Sequence, residues 1–449
     1  MPTLILIAWF TPMLCAVMIL VGVLRARYAA RRSPIVSPRL LIIQITTVGN
    51  EGTVNEIIRR IRGFQLTIPF SIWIVTEPGV EASYQGHDEL IVVPEDFHCR
   101  ASYKARALEY SRRLRVERRL NDFFVKVLFV DDDGVPTKSY IEKVFRSEFD
   151  VCEGIPAPRN GYGRFLSHMD DLRTINCIYM CSVFQGIGHP IHVHGEGLCV
   201  RGTAESSVTW DYEMFASEDL VFGHMAVLKG RTWGFVWDYM EITSPFTWRD
   251  FLTQRRRWLW GNIHAVRHVL PLRSSILLVT LYSYGLLTFV LSTIGIVFAL
   301  TGALSVPSSI MPWLLVSTVL WFSLFALSGW INSGGGASRG IRRVRDVIVA
   351  ALLAFVTSAV AIGVQVVALL KGNPHRFEVI QKTDPKAKKR SLATSLHHGS
   401  STGPEHLVPT PEPVVLIPEP VVLMPEPVVL IPEPVETLPD FSGNVVDGK

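Results

Sequence analysis

The chain is 449 residues long, with 48% hydrophobic residues, a mean hydropathy of +0.28 and a formal net charge of +4. It exceeds one ordinary domain and is too apolar for a simple soluble enzyme, so part of it is expected in lipid. Its basic residues gather at 25–32, 339–345 and 382–390, beside apolar runs, which suits anionic membrane lipids. No aromatic-basic platform accompanies them, so nucleic acid is not an expected partner.

Residues 4–24 form an uncharged run of about 20 residues, enough to cross a hydrocarbon core of roughly 30 Å. No basic region precedes it and no small-x-small cleavage site comes after it, which argues for an anchor over a cleaved signal peptide. Arg25, Arg27, Arg31 and Arg32 stand directly after the run, and the positive-inside rule then places the downstream chain in the cytoplasm. Residues 1–37 thus read as a transmembrane anchor with a basic linker.

Residues 38–270 mix charge and hydrophobicity like a folded domain. LLIIQITT (40–47), FSIWIVT (70–76), ELIVVP (89–94) and FVKVLFV (124–130) read as strands. VNEIIRRI and KARALEYSRRLRVERRL (104–120), the latter with one basic face, read as helices between them. Such alternation predicts a mostly parallel, Rossmann-like α/β sheet with its ligands at the carboxyl ends of the strands. Asp131, Asp132 and Asp133 stand at such an end. Farther on, HGEGLCVRG (194–202) is expected as a strand broken by glycines, where backbone closely approaches the acceptor.

HPIHVH (189–194) would put His192 and His194 on one face of a strand, yet no fourth zinc ligand is evident beside them. Six cysteines form no CxxC pair and no regular framework, which fits a reducing compartment. Cys177 and Cys181, one helical turn apart, read as small apolar packing residues. Ser217, Glu218 and Asp219 open a helix over LVFGHMAVL, and 246–266, rich in Arg and Trp, forms an amphipathic helix at the membrane interface. Residues 271–371 hold three further apolar runs, at 275–300, 311–331 and 347–370. One of them is expected to be interfacial or re-entrant, because the basic residues on either side of the last run pull the topology in opposite directions. Residues 372–410 form a basic tail. In residues 411–449, PEPVVLI-type heptads recur over 411–438, where proline forbids helix, so this end reads as an extended appendage without a catalytic part.

The aspartates admit two chemistries. A strand leading into D-x-D-G-V resembles the first motif of haloacid-dehalogenase-type phosphatases, with Asp131 as nucleophile and Asp133 as proton donor. That reading needs a downstream acidic pair at a strand end, and Asp170-Asp171 comes after SHM, which is no strand. In the other reading, Asp131 and Asp133 hold a hard divalent cation, Mg2+ or Mn2+, that neutralises the diphosphate leaving a sugar nucleotide. An inverting transfer also needs a carboxylate base in the cleft, and Asp219 is the candidate, although by its local sequence alone it would be a helix cap.

Gln254-Arg255-Arg256-Arg257-Trp258 matches Q-x-x-R-W, which resembles the signature of membrane-integrated family 2 glycosyltransferases such as the cellulose, chitin and hyaluronan synthases. D-x-D, then S-E-D, then Q-x-x-R-W before a membrane segment is far more specific than any one of them. From about residue 40 to 270 the chain most resembles egghead-type β-1,4-mannosyltransferases, through YKARALEY, HGEGLCVRG, FASEDLVFG and QRRRWLWG.

The resemblance implies a cytoplasmic GT-A domain attached to α-helical transmembrane segments in a multi-pass membrane protein. Its substrates would be a nucleotide sugar, GDP-mannose first, and a lipid-linked or polysaccharide acceptor. A processive polysaccharide synthase using a UDP-sugar is the runner-up. Carried over by motif, Asp131 and Asp133 hold the metal, Asp131 also the nucleotide, and Asp219 is the base. Gln254, Arg257 and Trp258 close over diphosphate and acceptor, Glu77 contacts the nucleoside, and Lys104 lines the same pocket. Asp132, a third carboxylate where small or apolar residues are frequent, leaves the metal-binding pair open by one position.

Overall fold

The computed structural model describes residues 2–30, 38–302, 306–334 and 340–374. The chain divides into two compact units, residues 1–392 and 393–449, and the second lies outside the described residues, as do the repeat at 411–438 and the basic stretch at 382–390.

The first unit is built on one eight-stranded sheet of order β3-β2-β1-β4-β7-β6-β8-β5. Its strands are β1 (Leu40–Thr47), β2 (Phe70–Thr76), β3 (Glu89–Val92), β4 (Val125–Asp131), β5 (Val135–Pro136), β6 (Val151–Asn160), β7 (Cys199–Arg201) and β8 (Trp233–Thr243). β3, β2, β1 and β4 are parallel. The short β7 runs antiparallel to both β4 and β6, and β6 then pairs in parallel with β8. This mixed, Rossmann-like sheet is the GT-A fold class that the sequence predicts. β1 and β4 are buried on both faces, as their unbroken apolar runs require.

Helices cover the two faces. The helix α2 (Glu51–Gly63) buries Val54, Ile57, Ile58 and Ile61, the i, i+3, i+4, i+7 stripe visible in the sequence. They join Ile43, Ile45, Leu128 and Val130 in the larger core cluster. On the other face α3 (Lys104–Glu117) and α4 (Glu218–Leu228) contribute Ala107, Leu108 and Phe222, packed with Ile42, Trp73, Val127 and Phe129. The basic face expected on α3 is partly internal. Arg115, 1% exposed, makes a two-pronged ion pair with Glu205 of the Gly202–Val208 helix at 2.5 and 3.0 Å, and Arg112 grips the buried Glu109. A guanidinium is buried here because its fork geometry is satisfied by carboxylate and amide oxygens.

Two expectations change. Only 199–201 of HGEGLCVRG is strand, and 189–197 is irregular, so His192 and His194 do not share a strand face. The N-terminal apolar run is broken between a Pro2–Trp9 helix and α1 (Thr11–Ala30), where Phe10 ends one helix and Pro12 starts the next.

Among the described residues α1, α6 (Leu272–Leu300) and α7 (Met311–Asn332) are long and apolar enough to cross a membrane, and they are the candidate membrane part. The last apolar run is split into α8 (Ile341–Leu352) and α9 (Ala354–Leu370), bent by 59°, which makes it a broken span or a re-entrant element as the opposing basic flanks suggested. The Arg- and Trp-rich segment is α5 (Trp248–His264), capped by Thr247, whose hydroxyl accepts from the Asp250 amide. It packs against α9, where Trp260 Nε1 donates to the Ala368 carbonyl at 3.0 Å.

Candidate active site

At the carboxyl end of β4 the sheet meets α4, α5 and the apolar C-terminal helices around a cavity of about 310 Å³. Its polar wall carries Lys104, Asp131, Glu218, Asp219, Arg257 and Trp258, and Tyr282 of α6 and Val364 of α9 reach it from the membrane part.

The three aspartates are sorted by the turn at the end of β4. Gly134 N–H donates to the Asp131 carbonyl at 3.0 Å, closing a four-residue turn that sends successive carboxylates in different directions. Asp131 faces the cavity, where Lys104 Nζ lies 2.5 Å from its Oδ1. Asp132 is turned to the end of β1 and accepts from the Thr47 hydroxyl at 2.9 Å and from the Asn50 amide. Asp133 is buried outside the cavity lining, and its charge acts on Arg173 and Arg257, which do line it. Asp131 and Asp133 are hard carboxylates of the type an oxygen-seeking divalent cation takes, and Asp132 is already engaged by Thr47 and Asn50.

Lys104 links the first motif to the second. Its Nζ also lies 3.6 Å from Glu218, the residue before Asp219. Burial works against its charge, but Asp131, then Glu218 and Asp219, outweigh that and its pKa is raised. Gly195 packs against the same group, since a Cβ there would lie 3.0 Å from Lys104 Nζ and 3.2 Å from Asp219 Oδ2. The glycine of HGEGLCVRG therefore makes room for the lysine and the carboxylate themselves.

Asp219 is not the helix cap its local sequence suggests. Ser217 stands at the N-cap in the left-handed region, φ +62°, without a side-chain cap bond, and Asp219 Oδ1 accepts from the adjacent Leu220 N–H at 2.8 Å. Burial, then the neighbouring Glu218 charge, pushes its pKa up to about 7, with Lys104 and the Leu220 amide opposing. A carboxylate that exchanges a proton near neutrality is suited to acid–base work. The strained Ser217 is wedged by α5, for a Cβ on Gly261 would meet Ser217 Oγ at 2.6 Å and the Ala216 carbonyl at 3.0 Å.

The QRRRW residues divide. Arg257 and Trp258 line the cavity, whereas Gln254 is buried outside its lining. Burial lowers the pKa of Arg257, opposed by Glu218, Asp131, Asp133 and Glu196, so this guanidinium faces the acidic set. Glu77 also lies outside the lining. It ends β2 in an ion pair with Arg106, and its other oxygen, Oε1, is buried without a partner among the described residues. Burial raises its pKa, with Arg106 opposing.

Three cavity residues escape the motif reading. Arg173 pairs with Glu196 at 2.6 Å, and Arg255 pairs with Asp170. Both guanidiniums lie over the Trp258 ring, at 5.0 and 4.4 Å from its centroid, and help to hold the tryptophan in place. A cluster of Arg173, Arg255 and Arg257 against Asp131, Asp133 and Glu196 is an arrangement built for an anionic leaving group and its counter-cation.

Sheet and cavity are those of a GT-A glycosyltransferase domain, and residues 126–327 match the family described as glycosyl transferase family group 2. It is similar to "Beta-1,4-mannosyltransferase egh" of Drosophila melanogaster, 27% identical over 329 residues that cover 70% of each chain. It is also similar to "Beta-1,4-mannosyltransferase bre-3" of Caenorhabditis elegans, 34% identical over 96 residues, 20% of this chain and 21% of that one. Among solved structures it resembles glucosyl-3-phosphoglycerate synthase of Mycobacterium tuberculosis with a TM-score of 0.30 and 10% identity, over 48% of this chain and 76% of that one. The phosphatase reading gains no support. Asp170 is engaged by Ser244 and Arg255, and Asp171 by Tyr162, Ser328 and Asn332.

Proposed function

We propose that this glycosyltransferase moves mannose from GDP-mannose, with inversion, to a β-linked sugar on a membrane lipid, forming a β-1,4 linkage on the cytoplasmic side. The transferred sugar and the linkage are those in the names of the mannosyltransferases to which the chain is similar, and GDP-mannose is the donor that the motif resemblance implies. The observation that carries the mechanism is Lys104, which holds Asp131 and sits beside Glu218-Asp219 in one cavity.

Asp219 takes the proton of the acceptor hydroxyl as its oxygen attacks the anomeric carbon. The bond from that carbon to the diphosphate breaks, and the electron pair leaves on the diphosphate oxygen. Arg257 and Lys104 face that charge, while Trp258, in contact with Arg173 and Arg255, gives the sugar a flat apolar wall. Asp131 and Asp133 would hold Mg2+ or Mn2+, which supplies further positive charge at the diphosphate. Glu77, with one free oxygen at the end of β2, is assigned to the nucleoside, and Gln254 to the support of α5 beneath Arg257. The acceptor lipid stem leaves past Val364 of α9, where the cavity wall turns apolar.

Purified membranes incubated with a panel of GDP- and UDP-sugars, with and without EDTA, test this. GDP-mannose consumed in a chelator-sensitive reaction, with one sugar added per acceptor, is the expected result. Consumption of a UDP-sugar into long products instead makes the chain a polymer synthase, and no donor consumed by wild type removes the assignment.

A further inference from the structure

Behind the carboxylates, the cavity wall carries a second set of donors with a different chemistry. Cys177 and Cys181 lie on a five-residue π-helical turn, Cys177–Cys181, and His194 lies on the irregular segment before β7. Their two sulfurs and a ring nitrogen fall within 4.8 Å of one another, and all three residues line the cavity. Cys181 Sγ stands 3.6 Å from His194 Nε2. In a tetrahedral site with bonds of about 2.3 Å to sulfur and about 2.0 Å to nitrogen, donors stand roughly 3.5 to 3.8 Å apart, so the set needs only a small contraction.

The competing contacts are weak. Both cysteines are fully buried, yet apart from the neighbouring Cys181 thiol the Cys177 thiol makes only a 3.5 Å approach to the Gly154 carbonyl. The wide π turn puts both sulfurs on the same side, toward His194, and such turns recur where a side chain must be re-aimed. Behind the histidine is Glu153, wholly buried, which accepts from the His194 amide at 2.8 Å and from the Gln185 side chain. A carboxylate this deep, held only by amide N–H groups, fits an outer-shell place beside a dication.

We propose that Cys177, Cys181 and His194 bind one Zn2+, with the fourth position open to the cavity. Sulfur and imidazole donors select a thiophilic ion, so this site is separate from the oxygen ligands Asp131 and Asp133. Binding converts two thiols to thiolates and releases two protons, so affinity rises with pH. The bound ion ties the π turn to the segment 192–196 that sets Gly195 against Lys104 and Asp219, which makes it a clamp on the active-site wall.

The test uses the full chain in detergent, freed of metal by chelation. One equivalent of Co2+ is expected to give visible d–d bands and a near-ultraviolet thiolate charge-transfer band, both removed by one equivalent of Zn2+. Cys181→Ser removes the charge-transfer band or halves it, while Cys99→Ser keeps it. Because a variant can fail to fold, the wild-type protein is also alkylated with and without Zn2+ and the labelled cysteines are mapped by mass spectrometry. Protection of Cys177 and Cys181 with Cys99 unprotected supports the site. No cobalt band at stoichiometric metal, a band that survives in C177S/C181S, or equal labelling with and without Zn2+ overturns it.

Discussion

The side chain on which the chemistry turns is Asp219, and its environment makes a signed prediction. Its folded pKa is raised to about 7 from an ordinary carboxylate value, so near neutrality the folded state holds a proton that the unfolded state has lost. The base is active only when ionised, so kcat/KM is expected to rise with pH through about 7 and to fall away below it. The groups that face it are Glu218 and Glu196, which raise its pKa, and Lys104 and the Leu220 amide, which lower it. Lys104→Met should therefore move the acid limb of the profile to higher pH while also lowering kcat. Asp219→Asn should cost roughly 10²- to 10⁴-fold in kcat, the usual worth of a general base, with donor affinity nearly kept. The sign for stability runs the other way. Stability falls as pH rises from the ordinary value of 3.8 through about 7 and the loss is complete above that, so Asp219→Asn should melt at a higher temperature than wild type at pH 8. A variant that keeps wild-type turnover, or a flat profile between pH 6 and 8, would remove Asp219 from the role of base.

Among elements, the contact that brings the motifs together is α5 against the turn that opens α4. Gly261 lets the helix approach until Ser217 Oγ and the Ala216 carbonyl fill the space of its missing side chain. Gly261→Ala is expected to leave the secondary structure intact and to lower kcat at least tenfold, because the backbone carbonyl of Ala216 cannot rotate away and Asp219 shifts with it. Ser217 sits at φ +62°, where a non-glycine residue is strained by about 1–2 kcal/mol. Ser217→Gly relieves that strain and removes the 2.6 Å neighbour, so it should raise the melting temperature and recover part of the activity of G261A. Circular dichroism with steady-state kinetics on the two single variants and the double variant decides the matter. If G261A retains full activity, the packing of α5 does not set the position of Asp219.

Strand runs, the α2 stripe and the order of D-x-D, S-E-D and Q-x-x-R-W were legible in the sequence because apolar periodicity and carboxylates at strand ends are local signals. Arg173, Glu196 and Arg255 were not, because their partners arrive by tertiary packing: Arg173 reaches Glu196 from another segment, and Arg255, inside the recognised motif, turns to Asp170. HGEGLCVRG misled in a related way. Only three of its residues enter the sheet, although its glycines do mark close approach: Gly195 to Lys104 and Asp219, and Gly197 to Tyr140 and Met240.

At the scale of the whole molecule, catalytic domain and membrane helices share a buried polar junction. Asp171, fully buried, accepts from the Tyr162 hydroxyl at 2.7 Å, from Ser328 Oγ at 2.9 Å and from Asn332 Nδ2 at 2.8 Å, the last two on α7. Asn332 Oδ1 in turn accepts from Thr174 at 3.2 Å, so a single amide side chain at the end of a spanning helix satisfies both the carboxylate and the hydroxyl. Two residues on, Arg173 stacks on Trp258, and the junction thereby fixes the height of α7 relative to the cavity. Asn332→Leu removes a donor from a buried charge and leaves the Thr174 hydroxyl with the Pro156 carbonyl at 3.3 Å, so the cost is about 1–3 kcal/mol for the donor that Asp171 loses. The expected outcome is a melting temperature in detergent several degrees lower, with kcat falling further than KM because Arg173 and Trp258 lose their support. Asn332→Asp replaces a donor by a second carboxylate beside Asp171 and should lower the melting temperature further than Asn332→Leu does. If both variants melt and turn over like wild type, the junction carries neither stability nor alignment, and the spanning helices serve the catalytic domain only as a tether.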